Sequence, residues 1–119
     1  MFSAALHTPM VANNSGGEQI DPREEDILAA TGVLQPGSYV CMVTITASDL
    51  AFSVAQFKVH RRNAADDDDV ESVVVSVPVD DSKQFETAWR IKQDEQITVT
   101  PYVDMVGTVT AALNWQRVG

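Results

Sequence analysis

The chain has 119 residues, with 17 acidic and 8 basic side chains, so its formal net charge is −9. This length is typical of one globular domain that folds without metal or disulfide cross-links. The negative charge argues against nucleic acid or an anionic membrane as a direct partner. A single cysteine excludes an internal disulfide, and no apolar run approaches the 18 residues of a membrane span. Because the first twelve residues also lack a secretory signal pattern, we expect assembly in the cytoplasm of a cell.

The first 17 residues are predicted to form an N-terminal arm that precedes a single domain over residues 18–119. The run NNSGG at residues 13–17 interrupts regular structure. Residues 21–30 are compatible with two structures. Asp21 is a suitable cap for a short helix with Pro22 in its first turn, whereas residues 27–31 also suit an edge strand.

The chain from residue 35 onward alternates apolar and polar side chains with period two, which is typical of half-buried β-strands. Pro36-Gly37 favours a type II turn just before the first of them. Pro101 removes one main-chain donor, so its strand is expected at an edge or to carry a bulge. The predicted strands are 39–47, 51–60, 73–79, 84–91, 97–103 and 108–116. Together with residues 31–33 and part of the arm, they indicate an all-β antiparallel sandwich that is jelly-roll-like.

Some strands are apolar on both faces, which is unusual for a monomeric sandwich. Val40 and Met42 lie opposite the main apolar set of their strand, and residues 73–75 are three consecutive valines. Covered faces on both sides predict a contact with a second subunit.

The second strand changes phase, because Phe52 and Val54 have even numbers whereas Phe57 and Val59 have odd numbers. One explanation is a bulge near Ala55, which returns both pairs to the same side. The other is that a neighbouring subunit covers the second face. Closed cyclic symmetry is the usual form of self-association, and we expect a homotrimer. Its predicted interface residues are Val40, Met42, Phe52, Val54 and Tyr102.

The most conspicuous charged feature is the acidic run Asp66 to Asp69, followed by Glu71. The run lacks the ligand spacing of a calcium loop, so a solvated loop is the favoured interpretation, with a cation site or a basic partner as alternatives. His7 and His60 are far apart, and no cluster has the spacing of a zinc site. Cys41 alternates with core positions and is predicted to be a small buried hydrophobic residue.

The sequence contains no nucleophile elbow, no phosphate-binding loop and no dinucleotide fingerprint, so we predict neither catalysis nor a cofactor. Aromatic side chains could also line a sugar-binding groove. Trp89 and Trp115 fall on the apolar phase of their strands and are predicted to lie in the core. Tyr102 lies on the polar phase beside Pro101, which makes it the better surface candidate.

Six segments carry a resemblance, of which the most specific is HRRNAA at residues 60–65, and the others are 57–59, 73–78, 84–85, 95–99 and 107–113. These segments resemble small decoration, or cement, proteins of tailed bacteriophages. The resemblance covers about residues 34 to 118. It implies a compact jelly roll that binds the outer capsid surface as a trimer, without catalysis. The run Asp66 to Asp69 departs from this pattern.

The resemblance therefore predicts a structural protein of the virion, assembled in the host cytoplasm, whose partner is the major capsid protein. Three linked contacts would raise the avidity of weak single interfaces through effective concentration. The arm would add apolar capsid contacts through Phe2, Leu6, Met10 and Val11, or else cover its own domain. The alternative function is a receptor- or carbohydrate-binding head module of a phage fibre or spike.

Overall fold

The computed structural model describes residues 12–24, 26–48, 54–65 and 68–119, and its regular structure there consists of β-strands. None of these residues belongs to a helix that is long and apolar enough to cross a membrane. The strands are β1 (Ala12–Ile20), β2 (Ala29–Ala30), β3 (Gly37–Ser48), β4 (Val54–Asn63), β5 (Asp68–Pro78), β6 (Asp81–Ile91), β7 (Glu95–Pro101) and β8 (Thr108–Arg117).

Two four-stranded antiparallel sheets pack face to face. Sheet A has the strand order β1-β8-β3-β6, and sheet B has the order β2-β7-β4-β5. The prediction of an all-β antiparallel sandwich is therefore confirmed. Residues 12–17, which were grouped with the arm, form the first part of β1, which pairs with β8.

The core lies between the sheets and follows the alternation in the sequence. In β3, the odd-numbered residues Cys41, Val43 and Ile45 are fully buried, and in β4 Phe57 and Val59 face them from sheet B. Burial of these side chains is the main favourable contribution to folding. Trp89 and Trp115, which were predicted to lie in the core, pack against it but are only partly buried.

The segment before β3 forms a turn and a very short edge strand instead of a helix. The main-chain N–H of Asp26 donates to the carbonyl of Arg23 at 2.9 Å, and the side chain of Asp26 accepts from the N–H of Arg23 at 2.8 Å. These two bonds close a single turn. Ala29 and Ala30 then pair with Val99 and Thr98 of β7.

The pairing of β4 with β5 rules out the first explanation for the change of phase in this strand, a bulge near Ala55. Pairing between β4 and β5 is continuous from Val54 to Arg61, and the register shifts only between Arg61 and Arg62. No bulge occurs at Ala55, which is buried, whereas Val54 is 46% exposed on the outer face of sheet B.

Pro101 ends β7, which lies inside sheet B between β2 and β4, so β7 as a whole is not an edge strand, although no strand lies beside Pro101 on the β2 side. The odd-numbered residues of β7 direct their main-chain groups toward β2, since the carbonyl of Val99 accepts from the N–H of Leu28 at 2.8 Å. Strand β2 is only two residues long and does not reach Pro101. The missing N–H therefore costs no hydrogen bond to a neighbouring strand.

Candidate functional site

A groove of about 340 Å³ lies on the outer face of sheet B, where β4 and β7 run side by side. Its wall contains one exposed aromatic ring, that of Tyr102, together with charged and polar side chains. The lining residues are Glu24, Lys58, Arg62, Thr100, Pro101, Tyr102 and Val103.

Strand pairing places these side chains on one face. Lys58 lies opposite Thr100, and paired residues in an antiparallel ladder point to the same side of the sheet. Tyr102 follows directly after β7, and its N–H donates to the carbonyl of Gln56 at 3.0 Å. This bond holds the start of the loop against β4 and leaves the Tyr102 side chain 45% exposed.

A bulge brings Asp69 to the same face. The shift between Arg61 and Arg62 pairs Asp69 with Arg62 and leaves Val70 as the extra residue of β5. Asp69 then contacts three side chains of β4: its Oδ2 lies 2.8 Å from Lys58 Nζ, and its Oδ1 lies 2.5 Å from His60 Nδ1 and 3.3 Å from Arg62 Nε. Asp69 therefore holds Lys58 and Arg62 in place at the floor of the groove.

This network determines the charges at the groove. Partial burial tends to raise the pKa of Asp69, but hydrogen bonds from Lys58 and His60 outweigh it and hold that pKa well below its ordinary value. Burial lowers the pKa of His60, and the hydrogen bond to Asp69 opposes this only in part. Asp69 is therefore ionised and His60 neutral at pH 7.

The side chain of His60 is fully buried although it belongs to the outer face of the sheet. Its Nε2 lies 3.4 Å from Thr100 Oγ1. A neutral imidazole that donates from Nδ1 to Asp69 can accept at Nε2 from the Thr100 hydroxyl, so both ring nitrogens are used. Thr100, which lines the groove, is thus positioned by the same network.

The groove presents donors, an acceptor and an aromatic face. Arg62 uses Nε for Asp69, and within the described part of the chain its two terminal amino groups have no partner. Lys58 uses one of three N–H donors for Asp69. The carboxylate of Glu24 is an acceptor at the rim. Such a mixture suits a ligand with many hydroxyl groups and an apolar ring face.

The structure does not bring the five predicted interface residues together. Val40 and Met42 are partly exposed on the outer face of sheet A, whereas Val54 and Tyr102 belong to the opposite, sheet B side. Phe52 lies outside the described residues. Val54 lines a second, more apolar groove of about 330 Å³ with Val103, Met105 and Val106, beside the groove that contains Tyr102.

The remaining predicted sites divide into described and undescribed residues. Phe2, Leu6, Met10 and Val11, the predicted capsid contacts, lie outside the described residues. Asp66 and Asp67 of the acidic run do so too, and Asp69 is not a solvated loop residue but part of β5. Over the described ranges, no three His, Cys, Asp or Glu side chains form a group that could hold a metal ion.

Cys41 is fully buried in β3, as predicted. Burial raises the pKa of its thiol to about 12, so the thiolate that acts as a nucleophile does not form near pH 7.

The comparisons with known proteins establish the fold. Neither protein-family models nor curated protein sequences match the chain. Solved structures do match, and jelly-roll carbohydrate-binding modules are among them, so the predicted jelly roll is confirmed. The capsid decoration role inferred from the resemblance receives no support from these structures.

Three of the matched structures come from different kinds of protein. The N-terminal xylanase 10B of Clostridium thermocellum, in a structure of its CBM22-1 and GH10 modules complexed with xylohexaose, has a TM-score of 0.62 and 12% identity. That match covers 86% of this chain and 21% of the xylanase chain, so this chain spans about a fifth of its length.

The C-terminal domain of EclA, described as a sugar-binding protein, has a TM-score of 0.60 and 10% identity over 89% of this chain and 79% of that one. The globular domain of zebrafish complement 1qA has a TM-score of 0.54 and 12% identity over 94% and 98%. At such identities the likeness shows the fold alone.

Sequence reasoning found Tyr102 but missed the polar side chains around it. Asp69 belongs to the acidic run and Arg62 to the HRRNAA segment, but the sequence did not predict that they share a face with Lys58, because that common face depends on the bulge at Val70. The available signal was the even numbering of Lys58, His60 and Arg62, which places three ionisable groups on the outer face of one strand.

Proposed function

We propose that this chain is a non-catalytic carbohydrate-binding domain whose ligand lies in the sheet B groove. The observation that carries the proposal is an exposed Tyr102 ring beside fixed hydrogen-bonding groups on the outer face of a β-sandwich. The fold shared with jelly-roll carbohydrate-binding modules supports it.

Each wall of the groove contributes a different kind of contact. The Tyr102 face packs against the C–H face of a sugar ring, and its rigid side chain loses little conformational freedom on binding. Lys58 and Arg62, held by Asp69, donate to sugar hydroxyls, and Glu24 accepts from them. Because Asp69 fixes these donors before the ligand arrives, less side-chain entropy is lost on binding.

The test is to find a ligand with a panel of oligosaccharides and then to measure its affinity for variants by calorimetry. Tyr102→Ala should weaken binding about tenfold or more, and Tyr102→Phe should retain most of it, because the ring face supplies the contact. Val118→Ala, at an exposed residue remote from the groove in sequence, is the control and should bind as the unsubstituted chain does. Equal affinity of Tyr102→Ala and the unsubstituted protein would refute the proposed site.

A second candidate is the homotrimeric virion protein that binds the major capsid protein on the outer capsid surface. It is favoured by Val40 and Met42, which are partly exposed on the outer face of sheet A close to Ala88 and Ala112. Light scattering of the purified chain tests it. A trimer that dissociates on Met42→Lys substitution supports this candidate, and a monomer at micromolar concentration contradicts it.

A further inference from the structure

A separate cleft of about 470 Å³ lies at the end of the sandwich where β3 begins and β6 and β8 end. Its lining side chains include three cations, Arg90, Lys92 and Arg117, and no acidic side chain. Main-chain atoms of Pro36, Gly37 and Gly119 form part of its wall, and an oxygen of Gly119 lies over Gly37 close to the Arg117 guanidinium.

The concentration of positive charge here is unusual for this protein. Only 8 of its residues are Lys or Arg, against 17 acidic residues. Lys58 and Arg62 pair with Asp69, and Arg61 pairs with Glu71 and Glu95. Five cations remain without an ion pair within the described part of the chain, and three of those five line this single cleft. The nearby Glu95 is occupied by Arg61 and by the main-chain N–H of Lys92.

Arg117 is held in the cleft instead of extending into solvent. Its Nη2 donates to the carbonyl of Pro36 at 2.7 Å. Its Nε lies directly over Gly37, where even a Cβ atom would collide with the guanidinium. The absence of a side chain at Gly37 therefore makes room for Arg117, and the remaining N–H groups of the guanidinium are available to a ligand.

We propose that this cleft binds an oxyanion, that is, a carboxylate, sulfate or phosphate group, at a site distinct from the sheet B groove. Guanidinium groups offer paired donors that match two oxygens of such an anion, and Lys92 adds a compact charge. Within the described part of the chain no Asp or Glu side chain pairs with these three cations, so an incoming anion does not have to displace a side-chain carboxylate. This proposal does not depend on carbohydrate binding in the other groove.

Titration of the full chain with inorganic phosphate tests the site. Binding is measured from the nuclear magnetic resonance signals of the arginine Nε–Hε groups. Sodium chloride at equal ionic strength is the reference. We expect saturable shifts at Arg117 and Arg90, and an affinity about tenfold lower in Arg117→Gln, because a hydrogen bond to a charged group is lost. Arg117→Lys keeps the positive charge but loses the paired donors. Its phosphate affinity should therefore lie between those of the unsubstituted chain and Arg117→Gln.

Lys83→Gln is the matched control, because it removes one positive charge from an exposed residue of β6 opposite Ile45, away from the cleft. It should leave phosphate affinity within about twofold, since exposed charges at long range are screened. A shift that does not saturate, or an equal loss of affinity in Lys83→Gln and Arg117→Gln, overturns the proposal. A parallel titration with a sulfated disaccharide, measured through the same Arg117 and Arg90 signals and not through overall binding, identifies the source of the anion: tighter binding than phosphate assigns an acidic glycan, and equal binding assigns a free oxyanion.

Discussion

The outer faces of the two sheets carry different kinds of side chain, although both sheets show the same alternation of inward and outward residues. On sheet A, partly exposed Val40, Met42 and Thr44 lie in β3, and their neighbours are largely small or uncharged. On sheet B, the corresponding positions of β4 are ionisable residues joined through Asp69. Packing of the core determines only the inner faces, so the outer faces are free to specialise, and the outer face of sheet B carries a network of charged side chains.

The outer face of sheet B is also unusual in the burial of its polar side chains. An outer face normally leaves polar groups in water, yet His60, Thr98 and Thr100 on sheet B are buried. Buried polar groups need partners, and the Asp69 network supplies them for His60. The contribution of sheet B to stability therefore depends on the charged groups on its outer face.

The largest effect is expected from Asp69→Ala, which removes the centre of this network. His60 Nδ1 loses its acceptor inside the protein, and Lys58 and Arg62 lose their shared counter-charge. We expect the free energy of unfolding to fall by about 2–3 kcal/mol, as measured by urea denaturation.

Glu71→Gln is the control for Asp69→Ala. Glu71 is also an acidic residue of β5 that pairs with an arginine of β4, but its side chain is 49% exposed. Its loss should cost less than about 1 kcal/mol. Equal costs for the two variants would show that Asp69 is an ordinary surface ion pair.

The second effect is a dependence of the free energy of unfolding on pH, which we expect His60 to cause. The pKa of His60 is lowered in the folded state, so below its ordinary value of 6.5 the unfolded chain binds more protons than the folded chain. The free energy of unfolding should therefore decrease as the pH falls through 6.5. Asp69 stays ionised across this window because its own pKa is lowered.

His60→Gln tests this assignment through the slope of stability against pH, which is independent of the absolute loss caused by the substitution. Denaturant titrations at pH 7.5, 6.5 and 5.5 should give a shallower slope for the variant than for the unsubstituted chain. Parallel slopes would place the pH dependence on other groups.

A third, smaller effect is expected from Lys58→Gln. The Lys58–Asp69 pair is short, at 2.8 Å, but both side chains remain about 30% exposed, at 29% and 31%. Solvent screens such a pair, so its removal should lower the free energy of unfolding by about 0.5–1 kcal/mol. The loss should shrink further in 1 M salt, and insensitivity to salt would contradict an electrostatic origin.

The same contrast explains how far the sequence could predict the molecule. The strands and the core followed from alternation, because residues such as Val43 and Phe57 repeat with period two and must be buried together. The arrangement at Asp69 could not be predicted, since a bulge at Val70 changes which face its side chain occupies. Pro101 was informative only locally: its missing donor faces a free edge because β2 is short, and the length of β2 has no signature in the sequence near Pro101.

The smallest effect is expected on sheet A. Met42 lies opposite Glu86 and Asn114, and its side chain is only partly buried, without the polar network of the other face. In a monomer, Met42→Thr should change the free energy of unfolding by only about 0.5 kcal/mol, and the melting temperature should not depend on protein concentration. If sheet A packs against other copies of the chain, unfolding is coupled to dissociation. The melting temperature of the unsubstituted protein would then rise with its concentration, and Met42→Thr would weaken that rise.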